Sequence, residues 1–468
     1  MRLCAKQFNV NKLAVILIFD VGKTNKKILL FNEQYRIVYE ENKQFAEIKD
    51  EDGFPCEDVQ LLTEWIKGSF ARLLSEPRFD IKAINFSAYG ASFVYLNKQQ
   101  EVFLPLYNYL KPYPADLQNV FFNRYGGEKN ISRQTASPVL GHLNSGLQLY
   151  RLKYEKPDSF SNIHYALHLP QYLSYLLSSN VVSDITSIGC HTMLWNFEEN
   201  DYHSWVKAEQ VTDKLPVIVN ADSITGYSDN KLPVGTGLHD SSAALIPYLA
   251  SFHEPFILLS TGTWCISLNP FNHTSLSDDE LRQDCLCYLS YKGNPVKASR
   301  LFAGYEHEQQ TKRLAAHFLK ANDSYVNVQY SLDIVNNLKN SKPAGNNNEQ
   351  AFGQSIFEKR ELTDFETYEE AYHQLIADIV YRQVKSTALI LKGTDVKRIF
   401  VDGGFSKNQV YMHLLAEAFH SIEIYAASVP QASAIGAAMA IHIHWNGQPF
   451  PSDIIELKLF SAQKNAVR

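Results

Sequence analysis

Three short turns carry residue types able to handle phosphate: Asp20-Val21-Gly22-Lys23-Thr24, Ser260-Thr261-Gly262-Thr263-Trp264 and Asp402-Gly403-Gly404-Phe405-Ser406-Lys407-Asn408. Glycine, threonine and serine present backbone N–H groups and hydroxyls without bulk, which is what a phosphate oxygen requires. The first two turns look like one device used twice. In each, an apolar strand delivers an acid or a hydroxyl, then Gly, then Thr within two residues, then a return strand. Such a pair can grip a polyphosphate from two sides. Neither matches the Walker pattern, because no Gly-Lys-Ser/Thr at the needed spacing opens a helix. Taken singly, a Gly-bearing turn is equally well explained as turn chemistry. Only their joint occurrence carries weight.

A fourth segment, Gly235-Thr236-Gly237-Leu238-His239-Asp240-Ser241-Ser242-Ala243-Ala244, sets an acid at the start of a small-residue helix. Two readings of Asp240 stay open. It caps the helix, since Asp is among the favoured N-cap residues, or it is an accessible carboxylate able to take a proton from a hydroxyl. His239 gains interest by adjoining it, whereas His191 reads as a structural hydrogen bonder. Trp264 is expected to pack under its turn, with a pocket wall as the other use of an aromatic there.

The elements that must position these residues follow from apolar periodicity. Leu13 to Phe19 is apolar throughout, as in a strand covered on both faces, and Lys27 to Phe31 returns from the turn as its hairpin partner. Val59 to Leu74 has helical spacing and Ile81 to Phe86 reads as a strand, so the region is an α/β layer. Pro105 to Trp205 reads as mixed helices and loops inserted into the first domain. The pattern pauses near Ser251 to Pro255, which sets the expected domains at 12–250 and 254–455. Phe256 to Leu259 then starts a new strand. Leu338 to Gln350 is the most loop-like stretch. Thr363 and Glu366 suggest a capping box for a helix whose stripe, Ala371, Tyr372, Leu375, Ile376, Ile379, Val380, Val384, Ala388 and Leu391, is core rather than a cofactor box, and Gly393 ends it. Strand Ile399 to Val401 leads into the third turn.

Composition bounds the class. The chain has 468 residues, 44 Lys+Arg against 50 Asp+Glu and a net charge of −6, with 45% hydrophobic residues. That is globular chemistry, long enough for two or three domains. Nothing in it supplies the basic footprint of a nucleic-acid binder. Six cysteines are too few for a disulfide framework and read as reduced thiols. Cys285 and Cys287 stand close, but without a second pair they read as small buried residues of a strand, not a zinc site. Arg2, Lys6 and Lys12 before Leu13 to Phe19 mimic a targeting signal, yet the run is far shorter than the ~20 residues that span a bilayer. No membrane partner is expected, and cytoplasm is the default.

Together, the four motifs in their order and spacing resemble the FGGY family of carbohydrate kinases, and the His-Asp-Ser-Ser-Ala and Ser-Thr-Gly-Thr-Trp segments resemble its rhamnulokinase-type members most. The resemblance runs from Asp20 to about Ala440. It implies two actin-like (ribonuclease H-like) α/β domains, each a mixed sheet flanked by helices, with an interdomain cleft for ATP, Mg²⁺ and a small-molecule sugar. By that resemblance Asp20, Gly22, Lys23 and Thr24 fall on the first phosphate motif, with Asp20 reaching Mg²⁺ through water. Ser260, Thr261, Gly262 and Thr263 fall on the second, facing the γ-phosphate. Gly403, Gly404 and Asn408 fall on the adenosine motif, and Ala432 to Ala438, with Gly436, on the helix start that follows. Asp240 falls on the catalytic base, and Tyr89, Gly90 and His239 fall where the sugar is expected.

Departures from the family pattern bear on the substrate. Lys23 and Lys26 make the first turn more cationic than usual, either pointing to solvent or adding a cation beside the polyphosphate. Gln431 replaces an acid, Tyr89 a Trp and Ser92 an Asp. The implied activity is ATP-dependent phosphorylation of a ketose or deoxy-sugar. The rival reading is an actin-like ATP-binding sugar sensor or assembly protein without turnover. A homodimer stays open.

Overall fold

The computed structural model describes residues 12–340 and 355–461. Arg2, Lys6 and most of the loop expected over Leu338 to Gln350 lie outside them; Leu338 itself sits in helix Leu332–Asn340. The described residues divide into two compact units: one of residues 12–247, 288–294 and 430–454, the other of 248–287, 295–340, 355–429 and 455–461.

The first unit is built on a seven-stranded mixed sheet. Strand Leu13–Val21 forms an antiparallel hairpin with Lys26–Asn32 and pairs in parallel with Phe79–Ala88. Val15 to Phe19 are fully buried because both faces of the sheet are covered. Helix Val59–Leu74 covers one face, with Asp58 accepting from Leu61 N at its start and Val59, Leu62, Ile66, Phe70 and Leu73 buried at helical spacing. The region from 105 to 205 is mostly helices and loops but also holds short strands at Tyr165–His168, Ser183–Asp184, Trp195–Asn196 and Asp201–Tyr202, which the helix-and-loop expectation lacks, and it has its own aromatic core around Phe121, Tyr150 and Trp205.

The second unit repeats the plan. Strand Phe256–Thr261 forms a hairpin with Cys265–Asn269 and pairs in parallel with Arg398–Gly403, inside another seven-stranded sheet. Cys285 and Cys287 are buried in strand Cys285–Leu289, and all five described cysteines are free.

The compact units divide at Pro247, inside helix Asp240–Ser251, and the pause at Ser251 to Pro255 falls at the end of that helix. Residues 430–454 pack with the first unit, where helix Ala432–Ala440 meets strands Leu13–Val21 and Phe79–Ala88 and a Cβ on Gly436 would overlap the Ala243 carbonyl oxygen. The long helix is Tyr368–Leu391, capped by Thr367, which accepts from Glu370 N at 3.1 Å, so the cap sits four residues after Thr363. Its far end buries Gln383, Ser386 and Thr387 while Ala388 is exposed. There the helix meets the hydroxyl of Ser267, which bonds both Thr387 and Gln383, and polar residues replace the apolar stripe.

Candidate active site

Strand register assembles the first unit's part of the site. Asp20 lies opposite Ser87 and Val21 opposite Ala88, while on the other side of that strand Leu238 lies opposite Ser87 and His239 opposite Ala88. Three parallel strands therefore end together, and Asp20, Tyr89-Gly90 and His239-Asp240 emerge at one sheet edge, with about 10 Å between the outer strands at ordinary strand spacing. Burial, together with the charge of Asp240, pushes the Asp20 carboxyl up to about 6, against a hydrogen bond from Ser433 Oγ at 3.0 Å. A buried carboxylate that feels a second negative charge is a place where a cation is favoured. Among the described residues no group of three or more His, Cys, Asp or Glu could hold a metal alone. Mg²⁺ is commonly held by one or two carboxylates together with water and substrate phosphates, and Asp20 is a carboxylate of that kind.

The first turn is tight: Gly22 N donates to Asn25 O at 2.9 Å, and a Cβ on Gly22 would sit 3.0 Å from that oxygen. Its lysines do not point to solvent. Lys23 pairs with Glu47 at 2.6 Å, and Lys26, 2% exposed, forms a buried ion pair with Glu57 and donates to Lys23 O at 3.0 Å. Lys27 donates to Gln431 Oε1 at 2.6 Å, which is what a neutral residue at that position receives. Thr24 is exposed at the tip.

Asp240 is the first residue of its helix and accepts from Ser241 N at 2.6 Å, with 35% of its side chain exposed and His239 Nε2 3.3 Å away. It is accessible while anchored. His239 is buried, its basicity lowered by desolvation, and its Nδ1 has no hydrogen-bond partner. Gly90 is what lets the imidazole in: a Cβ there would lie 2.7 Å from His239 Cδ2. Tyr89 is buried and its hydroxyl donates to Glu57 Oε2 at 2.8 Å, so the ring and not the OH is left to face a ligand. His191 bonds Leu143 O through Nδ1 at 3.1 Å, the structural role expected of it.

In the second unit, Thr261 pairs with Gly403, so its two motifs lie side by side. The Thr261 hydroxyl has a structural role. It is 4% exposed, donates to Asp402 O at 2.5 Å and accepts from Phe405 N at 3.0 Å, bolting the two turns together. Gly403 has φ of 91°, and a Cβ on it would overlap the Thr261 carbonyl oxygen, so only glycine fits. Gly262 and Thr263 are exposed at the tip. Trp264 is 41% exposed and does not pack under the turn; its ring rests against Phe302 with centroids 4.4 Å apart.

These turns open onto a cavity of about 860 Å³ lined by Thr261, Gly262, Gly304, His307, Tyr325, Tyr372, Gly404 and Asn408, among others. Asn408 caps helix Gln409–Ala418 through Oδ1 and donates to the Tyr372 hydroxyl at 2.8 Å. That hydroxyl lies 3.0 Å from His307 Nε2, and burial pushes the imidazole down to about 4, so the ring is neutral. Sequence reasoning missed Gly304, His307, Tyr325 and Phe405, and counted Tyr372 only as core. Gly304 and His307 are one helical turn apart on helix Ala303–His317, a spacing that puts both on one face. A Cβ on Gly304 would overlap the Gly262 carbonyl oxygen, and nothing in the local sequence announces so long-range a demand.

Residues 15–246 match the N-terminal domain model of the FGGY family of carbohydrate kinases and 253–449 match its C-terminal domain model. The chain is 26% identical over 271 residues to a rhamnulokinase of Klebsiella pneumoniae, covering 54% of each, and 24% identical over 272 residues to an L-fuculokinase of Escherichia coli, covering 54% of this chain and 56% of that one. It thus spans about half the length of these curated relatives. The crystal structure of a carbohydrate kinase from Novosphingobium aromaticivorans shares the fold, with a TM-score of 0.77, 23% identity and coverage of 95% of this chain and 96% of that one. Among the described residues no helix is long and apolar enough to cross a membrane. With both halves matched in order across nearly its whole length, the chain belongs to the FGGY family of carbohydrate kinases.

Proposed function

We propose that this protein transfers the γ-phosphoryl group of ATP to a hydroxyl of a small sugar, a ketose or deoxy-sugar such as rhamnulose, fuculose or a pentulose. The observation that carries the reading is the shared sheet edge of Asp20, His239 and Asp240, where Asp240 stays partly exposed and its charge is felt at Asp20. Asp240 accepts the proton of the attacking hydroxyl. Its own carboxylate is oriented by Ser241 N, so it does not have to reorganise when that proton arrives. His239 and the face of Tyr89 form the sugar wall, with Gly90 keeping that wall open.

Asp20 is the residue to hold Mg²⁺ through water; the ion, when bound, offsets negative charge on the transferring phosphoryl group. Gly22, Lys23 and Thr24 meet the phosphates from the first unit. In the second unit Thr263 supplies its N–H to the γ-phosphate, while Gly262, whose own N–H donates to Trp264 O at 2.9 Å, keeps the tip free of bulk and Thr261 holds the turn. Gly404 and Asn408 wall the aromatic cavity that takes adenosine, with Gly403 setting the turn that presents them; its volume lies within the range of ~300–1,000 Å³ usual for ligand pockets.

The test is a panel of rhamnulose, fuculose, xylulose, ribulose and glycerol with MgATP, reading sugar phosphate by mass and NMR. A sugar-dependent product is expected. Binding of nucleotide and sugar with no phosphorylated product would favour a sensor, and ATP hydrolysis indifferent to every sugar would end the reading.

A further inference from the structure

The buried pair Lys26–Glu57 joins groups that the proposed reaction uses separately. Lys26 Nζ donates to the carbonyl oxygen of Lys23, inside the first phosphate turn, at 3.0 Å. The same ammonium pairs with Glu57 Oε1, and the other carboxylate oxygen, Oε2, accepts from the Tyr89 hydroxyl at 2.8 Å. The ring is closed by backbone: Tyr89 N donates to Val21 O at 3.1 Å, one residue before the turn begins. Lys26 and Glu57 are 2% and 4% exposed.

Neither charge is needed to fill this space, and burying an ion pair is often neutral or worse for stability than an apolar pair of the same size. What the pair does supply is direction. In a trans peptide the carbonyl and the following N–H point opposite ways. Pinning Lys23 O toward the buried ammonium therefore turns the Thr24 N–H away from it, to the side where Thr24 itself is exposed.

We infer that Lys26 and Glu57 are positioning residues that tie the sugar-facing ring of Tyr89 to the Thr24 amide of the phosphate turn, so that sugar wall and nucleotide turn are ordered as one unit. The inference rests on reading the first hairpin as a phosphate turn. Lys26 fixes the amide, Glu57 fixes Lys26, and the Tyr89 hydroxyl fixes Glu57.

The experiment measures MgADP affinity by calorimetric titration, which needs neither turnover nor a known sugar, in the full chain and in Tyr89→Phe, Lys26→Met and the double variant. Tyr89→Phe deletes one hydroxyl on the sugar side, yet MgADP affinity is expected to fall about three- to tenfold, the loss of one hydrogen bond's worth of ordering. The double variant should bind no worse than Lys26→Met alone. If Lys26→Met does not fold, Tyr89→Phe alone decides. MgADP affinity unchanged by Tyr89→Phe, or losses that multiply in the double variant, overturns the link. A parent that binds MgADP yet phosphorylates no sugar would remove the kinase reading while leaving this result legible.

Discussion

The two hairpins of this protein share a backbone plan and differ in chemistry. Leu13–Val21 turns back into Lys26–Asn32 beside the parallel strand Phe79–Ala88; Phe256–Thr261 turns back into Cys265–Asn269 beside the parallel strand Arg398–Gly403. The first is crowded with charge: Asp20 with its raised carboxyl, Lys23 on Glu47, Lys26 buried on Glu57. The second is neutral and crowded with backbone. Gly403 and Gly304 have no room for a Cβ against the carbonyls of Thr261 and Gly262, and a threonine hydroxyl bolts the turns together. One topology thus serves two tasks. The first adds to its turn the charge that a cation and a proton need; the second offers a neutral turn of small residues, which phosphate oxygens can approach closely.

That contrast can be broken at its strongest point first. Lys26→Met strands Glu57 without its partner, and removing one member of a buried pair costs about 3–5 kcal/mol; urea unfolding should show a loss of that size. Gly403→Ala tests the other hairpin. Positive φ alone costs about 1–3 kcal/mol, and the overlap with Thr261 O adds to it, so a stability loss near the top of that range with loss of MgADP binding is expected. Gly22→Ala meets only one oxygen at 3.0 Å and should cost clearly less, as thermal melts would register.

Asp20→Asn should do the opposite and stabilise. Because the folded chain raises this carboxyl to about 6, Asp20 favours the folded state at pH below its ordinary value and loses that contribution as the pH rises through 6. Asn keeps the neutral form. The variant should therefore gain up to about 3 kcal/mol at pH 8 and little at pH 4, while sugar phosphorylation is lost. Equal melting curves at pH 8 would show that Asp20 is not strained by burial and Asp240. The smallest effect belongs to Lys23→Met: its partly exposed pair with Glu47 should be worth under about 1 kcal/mol, so only salt-sensitive nucleotide binding should move.

Much of this was legible because strands and turns are local. The apolar run from Leu13 gave its strand, the Gly22 turn its hairpin, and Asp402-Gly403-Gly404 its place at a strand end, since residue type and neighbours suffice there. Sequence is silent where a distant group decides. Nothing local to Thr261 announces that Asp402 O and Phe405 N, 141 and 144 residues away, take up its hydroxyl. Lys26 reads as either a solvent-facing lysine or a cation beside phosphate because its partner Glu57 lies in another part of the chain, and Tyr372 reads as core because a helical stripe does not say which of its residues borders a cavity. That residues 430–454 pack against the first unit is likewise invisible locally, since the fit of Gly436 against Ala243 joins positions far apart in the chain.

The central claim is that Asp240 takes the proton from the sugar hydroxyl, and Asp240→Asn tests it most directly, with sugar-dependent ATP consumption and MgADP affinity measured on the same preparation. Turnover should fall by ~10²- to 10⁴-fold, the usual worth of a general base, while MgADP affinity persists. Turnover near that of the parent would contradict the account.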